Sequence, residues 1–146
     1  GKARMGVISE PLVSMVMAKN KKVHPIFSLN KEWKTITQKE IPQTALLVNK
    51  KLASEQPELV NSFLENYKES IEWVNSNPKK AAKSIIKHNI LKNEEVAVQT
   101  IPRCNLKFRT ASEVSDQVHE YLNLFYKMNP EIVGGELPDE TFYYKQ

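Results

Sequence analysis

An α/β fold is what this sequence predicts, on three observations. A short apolar run, MGVI, stops at Ser9-Glu10-Pro11 and gives way to apolar residues at helical spacing. A second apolar run, VHPIFS, follows a lysine-rich turn, and a third, TALLV, is apolar on both faces. Short continuous apolar runs bounded by turn residues read as strands buried in a parallel sheet. From residue 57 onward the pattern is helical.

Residues 4–8 form the first expected strand, and Pro11 suits the first position of a helix running to about residue 19. KNKK then makes a turn. Residues 23–28 are the second strand, with Pro25 marking an edge or a bulge. Together they predict a β-α-β unit with parallel strands and a right-handed crossover. Residues 30–40 are polar with no steady period and read as a loop carrying Trp33. Residues 43–49 are the third strand, and 50–55 a short turn of helix.

Pro57 opens a long helix with Val60, Phe63, Leu64, Tyr67, Ile71 and Val74 on one face. Asn77-Pro78 is a cap followed by a first-position proline, and Ala81, Ala82, Ile85 and Ile86 give the next helix a small inward face. Asn93 caps a further helix, which Pro102 ends. Thr110 and Glu113 have capping-box spacing ahead of an amphipathic run through Val114, Val118, Tyr121, Leu122 and Phe125. The turn-rich tail ends in Phe142, Tyr143 and Tyr144, and is expected to dock.

Composition narrows the function. With 146 residues, 40% hydrophobic and 26% charged, the chain can build a real core. The net charge of +4 comes almost wholly from scattered lysines, since Arg4, Arg103 and Arg109 are the only arginines. Nucleic-acid binding is therefore not expected, for want of an arginine-bearing or aromatic-interleaved stripe. Cys104 is alone, and His24, His88 and His119 have no second ligand at metal spacing, so no metal or cofactor is expected.

Taken in order, VISEP before a helix, IPQTALLVNKKL with PELVNSFL, and WVNSNPKKAA resemble the solute-binding proteins of bacterial ABC importers. The nearest branch is the nitrate/sulfonate/taurine and thiamine-precursor group, which IPRCNLKF and IVGGELPDETFYY also resemble. The resemblance implies the carboxyl-terminal part of a two-lobed, type II periplasmic-binding-protein fold. Residues 1–42 would end lobe two, 43–49 would be the return crossing strand, and 50–146 the helical part of lobe one. It implies a small polar or aromatic solute held in an interlobe cleft and a membrane permease as partner. It also implies a place in the periplasm or on the outer face of the cytoplasmic membrane, lipid-anchored or secreted.

Ligands of open α/β sheets bind beyond the carboxyl ends of strands, which puts Ser9, Glu10 and Pro11 at a candidate site. Helix capping and hinge architecture account equally well for that seam. Gln43 and Thr44, at the mouth of the expected crossing strand, share the two readings. Arg103 could grip a carboxylate solute or tie down a helix end, and Trp33 could stack on an aromatic solute or anchor a surface loop.

No nucleophile sits beside a base, no carboxylates are paired, and no glycine-rich phosphate loop is present, so a binding module is expected rather than an enzyme. Two alternatives remain: an enzyme like the thiamine-pyrimidine precursor synthases, which share the implied fold, and a non-catalytic helical interaction domain. Strands without their sheet partners also predict self-association, by exchange of residues 43–49 between copies.

Overall fold

Seven α-helices carry the regular structure in the computed structural model, which describes residues 4–145. They are α1 (Leu12–Lys19), α2 (Leu29–Thr37), α3 (Lys50–Glu55), α4 (Pro57–Ser76), α5 (Pro78–Lys87), α6 (Glu94–Arg103) and α7 (Ala111–Met128), followed by 3-10 turns at Pro130–Val133 and Glu140–Phe142. Among the described residues there is no strand. The expected α/β class, its β-α-β unit and the crossing strand of a type II periplasmic-binding-protein fold are therefore corrected to an all-helical fold.

The reason lies in what a strand needs from elsewhere in the chain. A parallel strand requires hydrogen-bonding neighbours and cover on both faces, and an isolated pair is marginal at best. Residues 5–9 are irregular, with Met5 78% and Val7 84% exposed, and no partner lies alongside. In the second expected strand Pro25 has no N–H to give, and the Val23 N–H donates to the Asn20 carbonyl at 3.1 Å, closing a turn. Residues 41–49 are likewise irregular, with Leu46 and Leu47 exposed.

The polar stretch read as a loop is instead α2. Its half-buried residues are Asn30, Trp33 and Thr37, a helical stripe that contains no aliphatic side chain. The αL conformation of Gln38 (φ 59°) ends this helix, its N–H bonding to the Lys34 carbonyl.

The chain divides into two units. The first comprises residues 4–26 and 65–108, with α1, the later part of α4, α5 and α6. Its core is the α5–α6 pair, where Ala81, Ala82 and Ala97 are 2% exposed or less and Val96 and Ile101 close the interface. Alanines on both helices let the backbones approach closely. Asn93 caps α6 by accepting the Val96 N–H at 2.9 Å, and Pro102 lies in its last turn. Asn77, however, does not cap α5. Its amide donates to the Trp73 carbonyl at 3.1 Å and so closes α4, leaving Pro78 to open α5. Tyr67 meets Phe108 edge-on at 6.3 Å, and the Asn75 amide holds the Leu106 carbonyl at 2.9 Å.

The second unit comprises residues 27–64 and 109–145, with α2, α3, the start of α4, α7 and both 3-10 turns. Here Thr110 and Glu113 form the expected capping box: Thr110 Oγ1 accepts the Glu113 N–H, and Glu113 Oε2 accepts the Thr110 N–H at 2.8 Å. An aromatic ladder joins α2 to α7, with Trp33 edge-on to Tyr121 at 5.4 Å and Tyr121 edge-on to Phe125 at 5.0 Å. The tail docks through Tyr143, which is buried, and through the Tyr144 hydroxyl bonded to Asn61 Oδ1 at 3.0 Å.

Candidate functional site

The sequence-selected residues separate between the two units. Ser9, Glu10, Pro11 and Arg103 belong to the first, whereas Gln43 and Thr44 belong to the second, exposed in an irregular segment. The sheet edge at which they were expected to gather does not exist. What the fold does bring together, across 93 positions of sequence, is Glu10 and Arg103.

Glu10 precedes α1, whose N-cap, Pro11, has no side chain able to satisfy the first amides. The Glu10 carboxylate takes that role, Oε2 accepting the Ser14 N–H at 3.1 Å. A negative charge at a helix N-terminus is also favoured by the aligned peptide dipoles. Its other oxygen, Oε1, accepts from Arg103 Nε at the end of α6, so one carboxylate both caps α1 and ties it to α6. The Ser9 and Pro11 carbonyls accept from the Val13 and Met15 N–H groups at 3.2 and 3.0 Å, starting the helix.

Burial alone would raise the Glu10 pKa, because its side chain is only 12% exposed. The Arg103 hydrogen bond, the two contacts with Ser14 and the guanidinium charge together outweigh burial, and hold the carboxyl below its ordinary value. Beside them, the Cys104 thiol is pushed up by burial and by the Glu10 charge. That keeps the thiol protonated and makes it a poor nucleophile. The chemistry available here is recognition. Arg103 is 39% exposed, and its Nη groups make no hydrogen bond to another described residue, so they remain available to an anionic group.

Two open grooves lie in the second unit, and of the residues singled out from the sequence as candidate solute contacts only Trp33 is among those lining them. One, of about 270 Å³, is lined by Trp33, Thr37, Lys39, Gln117, Glu120 and Leu124. Lys39 and Glu120 form an ion pair across it at 2.5 Å, and the Gln117 amide donates to the Glu40 carbonyl. The other, about 410 Å³ and more open, is lined by Lys50, Ser54, Thr141, Tyr143 and Lys145 among others. Trp33 is thus part of the α2–α7 packing and a groove wall rather than a loop anchor. Lys39, in the bend after α2, and Gln117 and Glu120, on α7, carry no local signal that they converge.

Among the described residues no cluster of His, Cys, Asp and Glu could hold a metal, and no helix is long and apolar enough to cross a membrane. Comparison with protein-family models, with curated proteins and with solved structures returns no match to this chain.

Proposed function

We propose that the chain acts as a non-catalytic binding module: the extracytoplasmic solute-binding receptor of an ABC importer, which delivers a small polar or aromatic solute to a membrane permease. One observation carries the reading, the ordered occurrence of VISEP, IPQTALLVNKKL, PELVNSFL, WVNSNPKKAA and IPRCNLKF in one chain. The α/β architecture implied by the same segments is no part of the proposal.

The Glu10–Arg103 pair is compatible with it. The guanidinium Nη groups, which bond no other described residue, suit a carboxylate or sulfonate, and the adjoining carboxylate favours a solute that also carries an N–H donor. A zwitterionic or amide-bearing solute suits this pair better than nitrate. The enzyme alternative draws no support from Cys104, whose thiol is held neutral.

Thermal-shift screening against sulfonates, nitrate, pyrimidines and small aromatic acids tests the reading. At least one class should raise the melting temperature, and Glu10→Ala should then weaken that solute at least tenfold by calorimetry, about 1.4 kcal/mol. A screen with no stabilising compound would overturn the receptor reading. The helical interaction domain would take its place, a reading favoured by the all-helical fold and by the exposure of Phe27, Ile36 and Leu47.

A further inference from the structure

Helix α5 has the sequence PKKAAKSIIK, with four lysines and no acidic residue in ten positions. At about 100° per residue, Lys79, Lys83, Lys87 and Lys80 fall in that order within an arc of roughly 100°. Ala81 and Ala82 lie in the opposite arc, buried against α6. All four lysines are exposed, and none takes part in an ion pair among the described residues.

The arrangement works against the helix that carries it. Lys79–Lys83 and Lys83–Lys87 are like-charge pairs at i,i+4 spacing, which weaken a helix. Lys79 and Lys80 stand in the first turn, where the dipole favours acids, and that turn contains none. The other long helices place an acid there: Glu58 in α4, Glu94 and Glu95 in α6, and Glu113 in α7. Local rules broken together on one exposed face, while the buried face obeys them, mark a surface kept for a partner.

We propose that the α5 lysine face is a docking surface for an anionic phospholipid bilayer. Its form favours a membrane over a folded protein or a nucleic acid. The stripe spans about 12 Å along one short helix, far less than a specific protein–protein interface needs. Its charges are ammonium groups, which act as point charges and do not form the bidentate fork that arginine gives nucleic-acid phosphates. A bilayer demands only positive charge within a Debye length of its surface.

Each lysine near an anionic surface strengthens binding roughly fivefold. Co-sedimentation of the full chain with vesicles of phosphatidylcholine containing about one third phosphatidylglycerol, at millimolar lipid and low salt, tests the assignment. The chain should pellet with these vesicles, remain free with pure phosphatidylcholine, and release as salt rises. K79E/K83E/K87E should lose at least about a hundredfold in binding while keeping the parent's helical circular dichroism, because it exchanges one set of like-charge i,i+4 pairs for another. If that variant fails to fold, K79Q/K83Q/K87Q replaces it with the same expectation for binding. Equal pelleting with neutral vesicles, equal pelleting of parent and variant, or no pelleting with anionic vesicles would each overturn the proposal. So would binding to duplex DNA or to an acidic protein without binding to the vesicles.

Discussion

Replacing Glu10 by glutamine removes the charge from the α1–α6 tie while keeping nearly the same shape. Hydrogen bonds to charged groups contribute about 1.5–3 kcal/mol when well buried. Arg103, however, is 39% exposed, so solvent screening reduces the ion-pair part to roughly 1 kcal/mol. The bond to the Ser14 N–H survives in weaker form, giving an expected loss of about 1–2 kcal/mol. For a chain of this length that lowers the melting temperature by roughly 3–8 °C. Folding lowers the Glu10 pKa, so the unfolded chain binds its proton more tightly than the folded one. The stability this group adds is therefore complete above its ordinary value of 4.5 and is lost as pH falls through the lower, folded value. Thermal melts followed by circular dichroism should separate parent and Glu10→Gln at neutral pH and bring them together in acid below 4.5. A double-mutant cycle with Arg103→Ala should give a coupling near 1 kcal/mol. Zero coupling, or a gap between the melts that does not change with pH, would refute the tether.

Two further outcomes are expected. Ala97→Leu places three extra carbons in a fully buried site between α5 and α6 and should cost about 1–3 kcal/mol or more, read from denaturant midpoints; an unchanged midpoint would show that the alanine interface is loosely packed. The exposed Leu46 and Leu47 should drive self-association at tens of micromolar, and L46K/L47K should lower the mass seen by light scattering; a clean parent monomer would contradict this.

Legibility followed locality. The helices from α3 onward are marked by residues that act within a turn of themselves: Asn49, whose side chain caps α3, Pro57, Pro78, Asn93 and the Thr110–Glu113 box. Helix α2 is not legible in the sequence because its inward stripe is Asn30, Trp33 and Thr37, which no hydrophobic template matches. The three apolar runs suggest strands for a complementary reason. A run of four or five apolar residues does not state whether a neighbouring strand exists, and here none does. Glu10 and Arg103 were each selected from sequence for their chemistry, but their pairing depends on α1 meeting α6, which neither neighbourhood encodes. Lys39, Gln117 and Glu120 were not selected at all, since their groove exists only once α2 and α7 have packed.

The α5–α6 pair and the Glu10–Arg103 tie belong to one unit but differ in how much chain each must organise. Helices α5 and α6 are adjacent, joined by the few residues between Lys87 and Glu94, so closing their alanine interface sacrifices little chain entropy. The tie between Glu10 and Arg103 encloses 93 positions and forms only when the distant arms of the chain have met. Low contact order favours early formation, so α5 and α6 should set as a nucleus and α1 should lock on afterwards. In kinetic terms, weakening the tie should leave the folding rate nearly unchanged and appear as faster unfolding. An alanine-interface substitution should instead slow folding itself.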